Sequence, residues 1–263
     1  MLSTRVADRF GSYDASGGFF TIPSNVFDAD ARADLTAMVA PVSRLQLGIT
    51  VPFVLNMRRI GADTEMGGGI GDFSFSGRFD IVPLSTASSW PAIALTAALA
   101  FPTGRSASEA TNVLAADATG LGVTEFRPGI FLEHSFGGEA NAIVAASVGL
   151  RSAANDLSAS PSFDLAPRLR LLAAAGPVFD MGLSLSLGVI HEREGAPSIG
   201  GVTMPDADRH RTAALAFVGY DLPSRFTLLG SLELDVPVHE LGKNEPAYVA
   251  ISIGLRRSTS WEN

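Results

Sequence analysis

Apolar and polar residues alternate with a period of two along most of this chain. In the segment GIGDFSFSGRF (residues 69–79), Phe73, Phe75 and Phe79 share one parity, while Ser74, Ser76 and Arg78 share the other. A segment with this rhythm is a β-strand with one apolar and one polar face. No run of about 18 apolar residues breaks the rhythm, so no transmembrane helix is expected. The alternation therefore predicts an all-β fold.

The alternating segments form a regular series of roughly twelve strands, most of them about 10–12 residues long, which is longer than strands of soluble proteins. Short turns follow the even-numbered strands and long loops follow the odd-numbered ones. The expected long loops include residues 14–30, 56–71, 103–122 and 192–208. We interpret residues 1–263 as one domain, because no change in composition marks a boundary.

A soluble sandwich or lipocalin also alternates apolar and polar residues, with its apolar face inward. Strand length, alternating loop length and aromatic residues at the strand ends favour a membrane barrel instead. Trp90 and Phe136 mark the short-turn ends, and Phe53 and Phe101 mark the long-loop ends. The prediction is a single antiparallel up-and-down transmembrane β-barrel of about 12 strands, with short periplasmic turns and longer outer loops.

Composition agrees with this interpretation and limits the partners. Charged residues make up 17% of the chain and hydrophobic residues 46%, with a mean hydropathy of +0.25. The net charge of −8 gives no basic surface for nucleic acid, so no nucleic-acid partner is expected. The chain has no cysteine, which excludes disulfides and thiolate metal sites. The first ten residues, MLSTRVADRF, lack an apolar core, so no signal peptide is expected within this chain.

Three short glycine-containing motifs carry a family resemblance. GIGDFSFSGRF is followed by FPTG (residues 101–104) and then by Gly-Leu-Gly at residues 120–122. This arrangement resembles the outer-membrane proteins grouped as the phenol-degradation MetA-pathway type. The resemblance implies a β-barrel that passes small, often aromatic or hydrophobic, compounds across the outer membrane.

Charged residues of both signs lie on the polar faces of the predicted strands and are expected to point into the lumen, since an Arg at the lipid midplane would cost about 2–4 kcal/mol. One interpretation is a self-neutralising ladder that fills the lumen and fixes strand register. The other is a narrow polar conduit that contacts a solute. The candidate solute-contacting residues are Arg78, Asp80, Glu125, Arg127, Arg168, Arg170, Glu233 and Asp235.

Three phenylalanines, Phe19, Phe20 and Phe27, fall in the first expected loop. They are candidates either for packing at the barrel rim or bilayer interface, or for gating the lumen.

Enzyme signatures are weak in this sequence. The four histidines have no metal-binding spacing, and GGGIGD lacks the Lys-Ser/Thr of a phosphate-binding loop. We therefore expect no enzymatic activity, no catalytic residue, no metal and no cofactor. The predicted function is an outer-membrane channel for passive passage of small compounds, with the lipid bilayer and a solute as partners. A non-conducting structural or surface-interaction barrel, a soluble binding protein and a membrane hydrolase are the alternatives. The sequence does not define an oligomeric state.

Overall fold

The protein is all-β in the computed structural model, which describes residues 1–86, 89–152 and 163–259. Eighteen strands and two single-turn 3₁₀ helices, Ala107–Glu109 and Pro223–Arg225, are present within these residues. The strands are β1 (Leu2–Tyr13), β2 (Phe19–Thr21), β3 (Val26–Val42), β4 (Leu45–Ile60), β5 (Asp63–Ile70), β6 (Ser74–Val82), β7 (Ala92–Ala100), β8 (Glu125–Phe136), β9 (Ala140–Arg151), β10 (Phe163–Asp164), β11 (Arg168–Pro177), β12 (Leu183–Glu194), β13 (Ser198–Ile199), β14 (Val202–Thr203), β15 (Arg209–Leu222), β16 (Phe226–Asp235), β17 (Gly242–Lys243) and β18 (Pro246–Arg257).

Twelve of the described strands close into one antiparallel barrel. Going round the wall, the order is β12-β11-β9-β8-β7-β6-β4-β3-β1-β18-β16-β15, and β15 pairs with β12 again. The first and last strands of the chain are neighbours, with Leu2 opposite Leu255. Barrel strands that follow one another along the chain are also neighbours in space, so the topology is up-and-down as predicted. Closure leaves the barrel wall without an open edge.

The outer surface of the barrel is apolar. Leu35, Phe53, Leu187 and Ile253 each expose more than half of their surface, and they lie on the outward-facing parity of four strands. A soluble protein rarely exposes so large an apolar surface, whereas a membrane barrel buries it in lipid. Separately, no helix in the described part of the chain is long and apolar enough to cross a membrane.

Aromatic side chains frame this apolar surface at both ends. Exposed Trp90 and Phe136 lie at the short-turn end, while exposed Phe53 and Phe126 lie at the long-loop end. Short connections such as residues 43–44, 137–139 and 223–225 are at the same end as both termini. The predicted pattern of short turns, longer loops and two aromatic girdles is thus confirmed.

Strand boundaries at the outer end differ from the sequence prediction. Residues 56–71 are not a loop: β4 continues to Ile60 and pairs with β5 from Phe53↔Ile70 to Ile60↔Asp63. Gly61 makes the tight turn between them with φ of +65°. Likewise β3 starts at Val26, inside the expected loop 14–30. Above the apolar band both faces of a strand meet water, so the strands continue there without apolar alternation.

Apolar residues alternate from Phe179 to Val189 in the sequence, which predicts a strand over that segment, but β12 begins only at Leu183 and continues to Glu194. Phe179 instead belongs to a turn, since its backbone N–H donates to the carbonyl oxygen of Leu183 (2.8 Å) and its own carbonyl accepts from Gly182 N–H (3.0 Å). Gly182 adopts a φ of +80° there, which favours glycine. Because β12 continues to Glu194, the expected loop 192–208 starts only after that residue.

Candidate functional site: the charged lumen

The eight predicted lumen residues lie on the inward parity of four barrel strands, opposite the exposed apolar residues. They come in pairs two residues apart, so both members of a pair point to the same side of the sheet. The pairs are Arg78 and Asp80 on β6, Glu125 and Arg127 on β8, Arg168 and Arg170 on β11, and Glu233 and Asp235 on β16. Ion pairs join them into networks with further inward residues.

Arg211 on β15 is the hub of the largest network. Its guanidinium contacts Glu192 of β12 at 2.8 Å, Glu233 of β16 at 2.8 Å and Asp235 at 3.0 Å. Asp235 also accepts the backbone N–H of Tyr248 at 2.7 Å. The Asp235 side chain is fully buried and that of Arg211 is only 16% exposed. This hub therefore links three adjacent strands through charges shielded from lumen water.

A second chain of ion pairs lies beside the hub, nearer the outer mouth. Arg151 of β9 is buried between Glu125, at 3.0 Å, and Glu194, at 2.9 Å. Glu194 also contacts Arg209 at 3.3 Å, and Arg127 Nε donates to Glu125 at 2.8 Å. A buried charge costs several kcal/mol unless it is paired, so these contacts offset one another's desolvation.

Carboxylates and guanidinium groups differ in exposure within these networks. Glu125 and Glu192 are 5% and 8% exposed, whereas Arg127 and Arg170 are 43% and 45% exposed. Arg168 contacts Glu192 at 2.7 Å and is also partly exposed. Glu125 and Glu192 are thus held against the barrel wall, while Arg127, Arg168 and Arg170 form the surface that faces the lumen.

Arg78 belongs to a separate cluster nearer the short-turn end. It contacts Asp80 at 2.8 Å and Glu133 at 4.0 Å, and its guanidinium lies 4.7 Å from the centre of the Phe131 ring. Cation–π contacts of this length are favourable. Phe131 therefore points into the lumen even though most aromatic residues of the barrel point outward.

Sequence reasoning missed the residues at the centre of the networks, namely Arg151, Glu192, Glu194, Arg209 and Arg211. Each continues the inward parity of its strand beyond the last apolar residue. Glu192 and Glu194, for example, follow Ser186, Gly188 and Ile190 at intervals of two. Extending the polar parity past the end of each apolar run would have found them.

One side of the barrel interior is filled, and we call it the packed wall: β11, β12, β15 and β16. In addition to the Arg211 hub it carries a small apolar cluster in which Ile190 and Ala213 are fully buried and Leu215 nearly so. Leu172 and Phe217 pack against this cluster. Close-packed side chains fill this wall at the level of the cluster, whereas a cavity of about 350 Å³ lies beside Ser184 and Phe217 toward the short-turn end.

The opposite side has small inward residues, and we call it the open wall: β4, β6 and β7. Gly48, Ser76, Thr96 and Ala98 line a cavity of about 460 Å³ there. A second cavity of about 720 Å³ lies toward the outer mouth. Ala98, Arg127 and Arg170 line both cavities, so the two meet at this level.

The three motifs that carry the family resemblance form a clasp at the base of loop 101–124. Asp72 of the first motif accepts the backbone N–H groups of Gly104, at 2.9 Å, and Leu121, at 2.7 Å. Thr103 Oγ1 donates to the carbonyl oxygen of Gly71 at 2.8 Å. A Cβ added to Gly120 would lie 2.2 Å from Asp72, which explains that glycine. The motifs thus hold the two ends of the loop together.

The middle of the same loop is fixed to the inner face of β4. Asn56 Nδ2 donates to the carbonyl oxygens of Ala116 (2.9 Å) and Ala118 (2.6 Å). Arg58 donates to the carbonyl oxygen of Leu114 at 2.7 Å. Residues 118–121 of the loop line the 720 Å³ cavity. The loop therefore narrows the outer mouth in a defined conformation.

Asp117 organises the loop from within. Its carboxylate accepts the backbone N–H groups of Thr111 (2.9 Å) and Asn112 (3.1 Å), together with the Thr111 hydroxyl (2.8 Å). These hydrogen bonds, that from the Thr111 backbone foremost, hold the pKa of Asp117 well below its usual range. The carboxylate therefore stays ionised, and keeps its loop contacts, over the ordinary pH range.

The expected loop that holds the three candidate rim phenylalanines is partly strand. Phe19 and Phe20 lie in β2, and the Phe19 ring packs against Phe10 and Tyr13 with centroids 5.8 and 5.5 Å apart. Phe27 lies in β3, on the same parity as outward-facing Leu35. None of the three lines the 460 or the 720 Å³ cavity among the described residues. Their positions agree with packing at the outer rim.

Within residues 1–86, 89–152 and 163–259, no group of three or more His, Asp and Glu side chains is arranged to hold a metal ion. His191, on the outward parity, shares a hydrogen bond of 3.0 Å with the hydroxyl of Thr212.

The fold is similar to those of solved outer-membrane channels. The COG4313 outer membrane channel from Pseudomonas putida F1 matches with a TM-score of 0.73 and 15% identity, over 97% of this chain and 94% of that one. The NanC porin matches with a TM-score of 0.51 and 9% identity, over 97% of this chain and all of that one (100%). No protein-family model matches the sequence, and no curated protein does. Because the sequence identities are this low, the structural matches show a common fold only, that of an outer-membrane β-barrel.

Proposed function

We propose that this protein is an outer-membrane channel for passive passage of small solutes. The observation that carries the proposal is the open wall, where the 460 and 720 Å³ cavities meet at Ala98. Small side chains there leave room beside the packed wall, and Ser76, Thr96 and Arg127 place polar groups along a mainly apolar surface. Passage along this route needs no catalytic group, and the fold likeness to channels supports a non-enzymatic role.

The resemblance of the clasp motifs to the MetA-pathway type supports small aromatic or hydrophobic compounds as solutes. The eight predicted lumen residues would contact the solute where they are exposed, as Arg127 and Arg170 are, and would stabilise the barrel where they are buried. The competing function, a non-conducting barrel, rests on the ion pairs that fill the packed wall.

Single-channel recording of the purified protein in planar bilayers tests the proposal. We expect discrete conductance steps in KCl. Ala98→Trp should remove most of this conductance, because an indole at the junction of the two cavities fills the route. The matched control is Leu95→Trp on the same strand, since Leu95 is 50% exposed on the outward face. Silent wild-type protein would favour the non-conducting barrel. Equal conductance in Ala98→Trp and Leu95→Trp would show that the route does not pass the junction at Ala98.

A further inference from the structure

We infer that the lumen holds a binding site for small aromatic carboxylates, with the carboxylate on Arg127 and Arg170 and the ring in the 460 Å³ cavity. The inference rests on the proposed channel function and specifies its solute class. It also adds a property that passage alone does not require, namely a preferred binding position along the route.

The two arginines direct part of their charged surface into the lumen. Arg127 and Arg170 each contact a buried carboxylate, Glu125 and Glu192 respectively, yet nearly half of each arginine side chain stays exposed. Glu192 is shared by three arginines, with Arg170 the most distant at 3.4 Å. A guanidinium offers five N–H donors in a plane, so one carboxylate partner leaves donors for a second. The exposed surface is therefore suited to an anion.

Arg127 and Arg170 also lie where the two cavities meet. Of the described arginines, Arg127 and Arg170 are the two that line both cavities. A solute that moves from one of these cavities to the other passes them. Because a carboxylate binds a guanidinium through two parallel hydrogen bonds, this level recognises shape as well as charge.

The 460 Å³ cavity beside the two arginines has a partly apolar surface. Met38, Phe131 and Leu172 contribute apolar atoms to the 460 Å³ cavity, beside the small residues of the open wall. Arg78 lies over Phe131 and carries a third positive charge in the same cavity, nearer the short-turn end. Cavities of roughly 300–1,000 Å³ with apolar walls and a few polar groups are typical small-molecule sites. A solute with a planar ring and one carboxylate contacts the apolar lining and the exposed guanidinium groups at the same time.

Benzoate is the probe, and acetate and benzyl alcohol are its matched controls for charge and ring. In planar bilayers we expect benzoate to block the KCl current of the wild-type channel at lower concentration than acetate, and benzyl alcohol not to block. The double variant Arg127→Gln/Arg170→Gln should weaken benzoate block by about tenfold or more, since it removes two charge-assisted contacts. Arg127→Lys should give an intermediate loss, because the charge stays and the planar fork is lost.

Arg32→Gln is the matched protein control, because Arg32 is 44% exposed and lines only the outer of these two cavities. It should leave benzoate block unchanged. Equal block by benzoate and acetate would overturn the aromatic part of the inference. Unchanged block in the double variant would overturn the site itself.

Calorimetric titration of benzoate into the detergent-solubilised protein separates this inference from the proposed function. Binding that is lost in the double variant, in a protein that shows no KCl conductance, would refute the channel and keep the site. Conductance without benzoate binding would keep the channel and refute the site. Resistance of each variant to SDS before heating shows that the barrel has folded.

Discussion

The packed wall and the open wall follow the same backbone rhythm and differ in the size of their inward side chains. On the packed wall the inward positions hold Arg211, Glu192 and Ile190, which are buried or nearly so. On the open wall the inward positions hold Gly48 and Ala98. A barrel of about twelve strands has room for either a filled or an open interior. This protein combines the two, and we expect stability to come from the packed wall and passage from the open wall.

The largest expected effect is the loss of the hub of the packed wall. Arg211→Ala removes three ion pairs and leaves Glu192, Glu233 and Asp235 close together without their shared cation. Breaking a buried pair in this way costs about 3–5 kcal/mol. Urea unfolding of the barrel in detergent micelles, followed by circular dichroism, measures the change.

Arg256→Ala is the matched control, since Arg256 lies at the short-turn end with an exposed hydrogen bond to Thr227 at 3.3 Å. It should change the free energy of unfolding by no more than about 0.5 kcal/mol. If Arg211→Ala unfolds at the same urea concentration as the wild type, the ion pairs of the packed wall do not hold the barrel together.

A smaller effect is expected at the clasp, which sets the outer mouth above the open wall. Asp72→Ala removes the acceptor of the Gly104 and Leu121 N–H groups. Hydrogen bonds to a charged group contribute about 1.5–3 kcal/mol. The ends of loop 101–124 should therefore separate more often, with faster proteolysis of the loop and noisier channel current, while the barrel stays folded.

Asp63→Ala, at the exposed tip of the β4–β5 hairpin, provides the control for a lost carboxylate at the same end of the molecule. It should leave both proteolysis and current noise unchanged. A clasp variant that is cleaved no faster than Asp63→Ala would show that the loop is held mainly by Asn56 and Arg58.

The sequence predicted the barrel well because lipid and lumen impose opposite demands on alternate residues. Within the apolar band this contrast marks each strand, as it does for Phe73, Phe75 and Phe79. Above the band the contrast vanishes while backbone pairing continues, so alternation alone predicts loops where β5 and the outer end of β12 lie.

The central ion pairs were beyond sequence reasoning for a different reason. The contact between Arg151 and Glu194 spans strands that are not neighbours along the chain, with β11 between them. Strand register and barrel closure had to be known first. The clasp is likewise visible in the sequence only as glycine-containing motifs, because its hydrogen bonds join residues far apart, 32 positions for Asp72 to Gly104 and 49 for Asp72 to Leu121.

The difference between the two walls can be measured directly, because the natural chain has no cysteine. Ala98→Cys places one thiol on the open wall, and Ala213→Cys places one on the packed wall, where the native side chain is fully buried. A small water-soluble methanethiosulfonate is added during single-channel recording and its reaction is also followed by mass spectrometry. We expect rapid modification at position 98 with a fall in conductance, and no modification at position 213 on that timescale. Equal reaction at both positions, or an unreactive thiol at position 98, would contradict the existence of one open and one packed wall.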